Sequence, residues 1–449
     1  MVHQRCLMTS HALRGIEAAR SIATKLRRTH QAPARSSRPT RKNPENIMHV
    51  GPITPFKIRV PQAKLDRIME RVRSYEWFEA PNGDSDFGIP PHYMRDLVDY
   101  WANTYDWRKQ ERDLNRLPQY RVEIDGDPIH YIHEPGSGRN PAPLILLHGW
   151  PVTHQAFARM VEKLAHPERF GGDPEDGFDV VVPSMPGFGF SDRLIRPLGP
   201  RATADRLHLL MTKVLGYEHY VVHGGDWGGL VAEWMGVRHP QHVEGIHLNL
   251  AFYRHAGAAF GSGQTGTGQA TAAELDWARS EQAAFEREFA YFQLQAGDPL
   301  TVSYAMMDSP VGQAAWILDK LLLWADHRGR DLKDLFSFDT VLTEVMIYLV
   351  TGTFYTAATI YRAIGEEGPI TFGAGERIEV PVGFAAFPDP HCPPPPRELV
   401  EKSRHIVHWT DMPRGGHFPS LEEPDLLTQD LRQFHRALKM GSHINSTTP

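Results

Sequence analysis

Short apolar runs that alternate with helix-like segments give the main structural signal in the central part of the chain. Runs of this kind are typical of buried parallel strands. They occupy residues 144–147, 178–182, 219–222, 243–248, 378–382 and 405–409. Because helical segments separate the strands, the pattern predicts the α/β class with a doubly wound sheet.

The strand rhythm stops in one long segment. From about residue 252 to residue 368 the pattern is helical, and strand-like runs return only after it. In open α/β sheets, ligands bind at the carboxyl ends of the strands. We therefore predict that this segment is a helical cap, inserted into the core and lying over a site at that edge of the sheet.

The N-terminal part up to residue 117 also has a helical pattern and is rich in aromatic residues. Apolar residues repeat at helical spacing between Tyr93 and Trp101. We interpret this stripe as packing against a larger domain. Residues 119–124 and 129–133 then flank a turn at 125–128, which predicts a pair of strands.

These patterns divide the chain into six segments. We predict a basic, disordered extension at 1–47, an N-terminal helical segment at 48–117, the first part of the core at 118–251, the cap at 252–370, the second part of the core at 371–440 and a tail at 441–449. The alternative for the first segment is an organellar transit peptide, because it has ten Lys or Arg against two Glu and no apolar signal core.

Composition limits the classes of protein that fit. The 449 residues suffice for a large core, and 41% hydrophobic with 23% charged residues is ordinary for a globular protein. A net charge of −6 is not the basic balance that is typical of nucleic-acid-binding proteins. The two cysteines, Cys6 and Cys392, argue against a structural disulfide and fit a reducing compartment. No apolar run approaches the about 18 residues of a membrane span.

The most informative motif lies at 223–229, directly after the third apolar run. A strand, a turn with glycines two places before and after Asp226, and a helix follow in that order. This is the setting of a nucleophile elbow. With Asp in place of Ser, the carboxylate can attack an sp³ carbon and form an ester that water then cleaves. The motif predicts opening of a carbon–oxygen or carbon–halogen bond, and a simple loop turn is the alternative.

Two other loops follow strands of the predicted core. After the first strand, the backbone N–H of Trp150 is a candidate for an oxyanion hole together with that of Trp227. After the last strand, His417 follows two glycines, and an imidazole there would suit the general base at neutral pH. An ordinary tight turn and a buried structural histidine are the respective alternatives.

Together these motifs resemble the epoxide hydrolases of the microsomal type. The resemblance runs from about Pro55 to Leu438, which is most of the chain. It rests on residues 55–57, 101–107, 148–151, 186–192, 224–228, 308–312 and 414–418. It implies the α/β-hydrolase fold with a helical cap inserted into the core, and an N-terminal helical segment that wraps both.

The same resemblance implies further site residues. Two cap tyrosines would donate to the oxirane oxygen, and the matching positions are Tyr291 and Tyr348. A phenol donates well and stays neutral at neutral pH, although a cap tyrosine can also be a packed aromatic. The acid that orients His417 would be Asp389, which stands one place earlier than in the family, with Pro390 in the usual position. A loop aspartate is the alternative for Asp389.

The resulting hypothesis is an epoxide hydrolase that adds water to an epoxide and yields a vicinal diol. Asp226 attacks a ring carbon while the two tyrosines hold the oxygen, and His417, oriented by Asp389, then activates water against the ester. One alternative is a haloalkane dehalogenase with the same nucleophile and base, in which Trp227 would bind halide. The other is a non-catalytic ligand-binding protein of this fold. A serine esterase is disfavoured because the elbow has no serine.

The expected partner is a small apolar epoxide. We expect no cofactor, no metal, no nucleic-acid partner and no membrane span, and a homodimer is left open. The predicted location is the cytoplasm, with organellar import through residues 1–47 as the alternative.

Overall fold

The computed structural model describes residues 49–79, 87–191, 194, 196–251, 270–368, 370–372 and 376–446. The predicted extension at 1–47, the beginning of the predicted cap and the end of the predicted tail therefore lie outside the described residues.

The described residues form one mixed sheet of nine strands. The strands are β1 (Thr54–Phe56), β2 (Gln119–Ile124), β3 (Asp127–Glu134), β4 (Ala142–Leu147), β5 (Phe178–Pro183), β6 (Tyr220–Gly224), β7 (Val243–Leu248), β8 (Ile378–Ala386) and β9 (Arg404–Asp411). Their order across the sheet is β1-β2-β3-β5-β4-β6-β7-β8-β9. The first three pair antiparallel and β3 joins β5 antiparallel, whereas all other neighbours are parallel. The predicted α/β class is confirmed, and all six apolar runs coincide with strands.

Helices occupy most of the remaining chain. They are α1 (Gln62–Arg73), α2 (Pro91–Asn103), α3 (Trp107–Leu114), α4 (Ala158–Ala165), α5 (Pro200–Leu209), α6 (Asp226–Arg238), α7 (Ala272–Gly297), α8 (Pro299–Asp308), α9 (Pro310–Trp324), α10 (Leu332–Leu335), α11 (Phe338–Thr351), α12 (Phe354–Ala358), α13 (Ile360–Glu367), α14 (Arg397–Glu401), α15 (Pro419–Glu422) and α16 (Pro424–Ser446). Several begin with proline, whose missing N–H costs nothing at the first helical position. The last helix continues past its predicted end near Leu438.

The strand order creates a crevice between β4 and β6. The chain leaves β4 for β5 on one side and then returns to β6 on the other side of β4. At such a switch point, the loops at the carboxyl ends diverge and leave room for a ligand. The loop after β4 contains Trp150, and β6 leads directly to Asp226.

The N-terminal segment shares the sheet of the core. Its first element is the edge strand β1, where the sequence pattern predicted helix, and an edge position tolerates the missing N–H of Pro55. The aromatic stripe of α2 is buried, and Tyr93 and Tyr100 pack edge-on against Phe338 of α11. The interpretation of this stripe as packing is confirmed.

Helices α7 to α13 form a continuous helical segment between β7 and β8. A capping box starts α7, since Thr271 Oγ1 accepts the N–H of Glu274 and the Glu274 side chain accepts the N–H of Thr271. Within the described residues, no single helix has the length and apolar character of a membrane span. The bent pair Phe338–Thr351 and Phe354–Glu367 passes the same test by length and composition only.

Candidate active site

The turn between β6 and α6 presents Asp226 at the crevice. Asp226 has a φ of 48°, in the left-handed region that strains a residue with a side chain. Glycines make this turn possible. A Cβ on Gly224 would lie 2.2 Å from the carbonyl oxygen of Gly228, and a Cβ on Gly228 would lie 2.1 Å from that of Leu147. The spacing of glycines in the motif therefore follows from close backbone contacts.

A backbone N–H group holds the carboxylate of Asp226. The N–H of Trp150 donates to Oδ1, with an N···O distance of 2.8 Å. Trp227 is the second residue of α6, and the first N–H groups of a helix have no acceptor within it. A Cβ on Gly149 would lie 2.1 Å from Oδ1, so a side chain there would displace the carboxylate. The site can hold a negative oxygen on Asp226.

The loop after β9 places His417 between two carboxylates. Its Nε2 lies 3.4 Å from Oδ2 of Asp226, and its Nδ1 lies 2.6 Å from Oδ2 of Asp389. The other oxygen of Asp389 accepts hydrogen bonds from the backbone N–H groups of His391 and Cys392, at 2.7 Å and 2.9 Å. Asp389 reaches His417 from its early position in the sequence because this turn orients its carboxylate.

The charge of His417 depends on that of Asp226. Burial alone would lower the pKa of His417, but the carboxylates of Asp389 and Asp226 outweigh it and raise this pKa well above its usual range. His417 is therefore an imidazolium while Asp226 is ionised. If Asp226 became a neutral ester, one of the two stabilising charges would be lost and the pKa of His417 would fall.

Asp226 also forms part of the wall of an aromatic cavity of about 50 Å³. The other lining residues are Trp227, Leu230, Glu288, Phe289, Tyr291, Phe292, Tyr361, His391 and Cys392. Helix α7 supplies four of them, so this helix encloses the space in front of Asp226. A wall of this kind suits an apolar ligand.

Two tyrosines, Tyr291 and Tyr361, face each other in this cavity. Their ring centroids lie 5.7 Å apart in an edge-to-face arrangement. Trp150 stacks on Tyr291 at 5.4 Å, and Trp227 packs edge-on against Tyr361 at 4.8 Å. Burial and the charge of Asp226 raise the pKa of Tyr291, and burial, the Tyr291 phenol and Asp226 raise that of Tyr361. Both phenols are therefore neutral donors.

Tyr348, predicted as the second donor, is placed differently, and burial with the nearby charges of Glu344 and Asp226 raises the pKa of its phenol. It is fully buried in α11 and is not among the residues that line the cavity. Its ring packs 6.4 Å from that of Phe354, and its hydroxyl has no hydrogen-bond partner among the described residues. Tyr361 occupies the position at the cavity instead. The sequence contains no pattern that singles it out, because both tyrosines lie in apolar helical segments.

A second, more polar cavity of about 30 Å³ touches both Asp226 and His417. His148, His223 and Asn249 contribute to its wall. A water molecule needs roughly 10–15 Å³ and several polar partners. The cavity therefore has the size and polarity to hold water beside Asp226 and His417.

One group of potential metal ligands occurs within the described part of the chain. It consists of Asp389, Cys392 and His417, with ligand atoms within 4.8 Å of one another. Asp389 and His417 are only 2.6 Å apart, whereas two ligands of a tetrahedral zinc ion are separated by roughly 3.3 Å. Burial raises the pKa of the Cys392 thiol to about 12, which disfavours the thiolate that binds metals. The geometry is that of a hydrogen-bonded acid and histidine.

Known proteins resemble this chain over most of its length. The family model for the epoxide hydrolase N terminus matches residues 53–157, and that for the alpha/beta hydrolase fold matches residues 142–260. Epoxide hydrolase 1 of Sus scrofa is 34% identical over 411 residues, which cover 85% of this chain and 88% of the relative. Epoxide hydrolase 1 of Oryctolagus cuniculus is 32% identical over 409 residues, with coverage of 85% and 88%.

A solved structure extends the similarity to three dimensions. The epoxide hydrolase of Aspergillus niger is 30% identical to this chain and superposes with a TM-score of 0.72, covering 86% of this chain and 96% of that structure. The chain therefore belongs to the epoxide hydrolase family and has the α/β-hydrolase fold.

Proposed function

We propose that this protein hydrolyses epoxides to vicinal diols through an ester formed on Asp226. The observation that carries the proposal is the position of Asp226, which lies 3.4 Å from the imidazole of His417 and shares a cavity with the neutral phenols of Tyr291 and Tyr361. The relatives from Sus scrofa and Oryctolagus cuniculus and the Aspergillus niger structure are epoxide hydrolases, which supports the same reaction. The helices from α7 to α13 act as the cap.

In the first step, Oδ2 of Asp226 attacks a ring carbon, and the bond from that carbon to the ring oxygen breaks. Oδ2 is the attacking atom because the N–H of Trp150 holds Oδ1. The electron pair moves to the ring oxygen, which the phenols of Tyr291 and Tyr361 stabilise by hydrogen bonds. The resulting alkoxide is protonated, and the proton comes from His417. His417 can give up this proton because its pKa falls when Asp226 becomes a neutral ester.

In the second step, the now neutral His417 takes a proton from water, and the hydroxide adds to Cγ of Asp226. The backbone N–H groups of Trp150 and Trp227 stabilise the negative charge that develops on Oδ1. The intermediate then expels the diol oxygen, which takes the proton of the new carboxyl group. Asp226 is again a carboxylate and His417 an imidazolium, and the atoms of one water have been added to the epoxide.

We propose Tyr361, instead of Tyr348, as the partner of Tyr291. Tyr361 lines the same cavity as Asp226, and Tyr348 does not. Asp389 remains our assignment for the acid that orients His417, because its carboxylate bonds the ring nitrogen on the side away from Asp226.

A single turnover in H₂¹⁸O tests the reaction and its intermediate together. With excess enzyme and styrene oxide, we expect diol without ¹⁸O and enzyme with one ¹⁸O on Asp226, because the water oxygen enters the carboxylate. Asp226→Ala should form no diol. Direct attack of water on the ring would place ¹⁸O in the diol and would contradict the ester mechanism.

A haloalkane of similar size serves as the control for the alternative reaction. Halide release without diol formation would move the assignment to a dehalogenase. Binding of styrene oxide without turnover, measured by calorimetry across a panel of epoxides, would favour a ligand-binding protein.

A further inference from the structure

One acidic side chain of the cavity has no part in the proposed mechanism. Glu288 is buried, with 8% of its surface exposed, and it lines the same cavity as Asp226. It precedes Tyr291 by three residues on α7, and residues at this spacing lie on one face of a helix. A second carboxylate therefore stands in the mainly aromatic wall, beside one of the proposed oxirane donors.

The two oxygens of this carboxylate have different surroundings. Oε2 of Glu288 accepts hydrogen bonds from Nζ of Lys320 at 2.9 Å and from Nε1 of Trp324 at 3.4 Å. No residue that the structure describes donates to Oε1. A carboxylate can accept about four hydrogen bonds, and the two that Glu288 accepts from side chains both go to Oε2. Oε1 is therefore an acceptor that a ligand in the cavity can use.

The charges around Glu288 indicate which kind of donor fits. Nζ of Lys320 also lies 2.7 Å from Oδ2 of Asp319, so the cation is held between two carboxylates. Lys320 already serves as the counter-ion of Glu288, so the carboxylate does not need a cationic ligand to balance its charge. A hydroxyl group donates without adding charge, and the aromatic remainder of the wall suits the carbon skeleton of the ligand.

We propose that Glu288 is a specificity-determining residue that accepts a hydrogen bond from a hydroxyl group of the substrate. The inference rests on the proposed hydrolysis of epoxides and names a substrate class for it, namely epoxides that carry a hydroxyl group away from the oxirane ring. Lys320 and Trp324 hold the carboxylate before the substrate arrives, so little ordering is needed on binding.

Matched pairs of terminal epoxides test this inference. Each pair consists of an alkyl epoxide of four to eight carbons and the same compound with a hydroxyl group at the far end. For the wild type, we expect kcat/KM to favour the hydroxylated partner by about tenfold at the chain length that spans the cavity. Glu288→Leu should reduce this ratio to about one, and Glu288→Gln, which keeps an acceptor oxygen, should retain part of it.

The ratio separates recognition from a general loss of activity. Both members of a pair meet the same nucleophile, donors and base, so a damaged fold lowers both rates and cancels in the ratio. Glu286→Leu, the same change at an exposed position of α7, is the matched control and should leave the ratio unchanged.

Three results would count against the inference or its basis, in distinct ways. A wild type that shows no preference at any chain length would overturn it, even if Glu288→Leu did not fold. So would a preference that survives in Glu288→Leu. Failure of the wild type to hydrolyse any of these epoxides would instead contradict the proposed function.

Discussion

The core and the cap form opposite sides of one cavity by different physical means. On the core side, hydrogen bonds and a strained backbone hold the reacting groups, as in the 2.8 Å bond from Trp150 to Asp226 and the φ of 48° at Asp226. On the cap side, ring packing holds Tyr291 and Tyr361, and the hydroxyl of Tyr361 has no hydrogen-bond partner of its own among the described residues. The core orients charge, whereas the cap leaves a donor available.

This difference has a functional meaning. A charged nucleophile and base need fixed geometry, because small displacements weaken attack strongly. A donor to the ring oxygen must remain free until the substrate arrives, and a buried phenol without a partner satisfies this condition at some cost in stability. The comparison predicts that changes in the core stop turnover at the ester, whereas changes in the cap slow formation of the ester.

The largest expected effect comes from the core. In His417→Gln, the epoxide should still alkylate Asp226, but the ester should accumulate because no base activates water. We expect turnover to fall by about 10³-fold. Intact-protein mass spectrometry should show one equivalent of added epoxide within the first turnover. Unchanged turnover, or loss of turnover without accumulated ester, would contradict the prediction that changes in the core stop turnover at the ester.

A smaller effect is expected in the cap. Tyr361→Phe removes a proposed donor to the ring oxygen and should slow ester formation in a single turnover by about 10²-fold. Tyr348→Phe is the matched control, because it removes a buried hydroxyl that does not line the cavity. Its rate should stay within about threefold of the wild type, since no interaction with the substrate is lost. If Tyr348→Phe slowed ester formation more than Tyr361→Phe, Tyr348 would be the second donor to the ring oxygen.

The contact that joins the two regions should affect stability instead of turnover. Oε2 of Glu344, on α11 of the cap, accepts hydrogen bonds from the N–H and Oγ1 of Thr153 in the core, at 2.9 Å and 2.7 Å. Oε1 has no partner among the described residues. Burial, only partly offset by these bonds, raises the pKa of Glu344 to about 8 from an ordinary value near 4.5.

This raised pKa predicts a stability that falls with pH. Between about pH 5 and pH 8 the unfolded chain loses the Glu344 proton while the folded protein keeps it, so the contribution of this group to the free energy of unfolding decreases as pH rises. The full decrease would be at most about 4 to 5 kcal/mol. Urea denaturation of Glu344→Gln should show a weaker decline over this range than the wild type. Glu286→Gln, at an exposed site, should follow the wild type, and parallel curves for all three proteins would contradict the prediction.

The sequence was sufficient for the strands and the elbow of the core because their signals are local. An apolar run predicts a buried strand, and the glycines around Asp226 predict a turn too tight for side chains. A Cβ on Gly224 or Gly228 would indeed lie only 2.2 or 2.1 Å from a backbone oxygen. His417 was recognisable from its place after the last strand, and the family resemblance reached the same fold. Strand ends meet at one edge of the sheet, so placing the strands also places the loops that follow them.

The cap could not be predicted to the same depth. Tyr348 and Tyr361 are both buried tyrosines in apolar helices, they lie on either side of a 102° bend, and only Tyr361 lines the cavity. The reach of Asp389 to His417 was likewise undecided, because it depends on a turn whose backbone N–H groups orient the carboxylate. The sequence by itself determined the class of fold, the nucleophile elbow and the candidate base, since these follow from short-range periodicity and backbone sterics. Only the tertiary structure decided that Tyr361 lines the cavity, that Asp389 contacts Nδ1 of His417 and that Lys320 bonds Oε2 of Glu288, because each depends on how distant helices and turns pack in space.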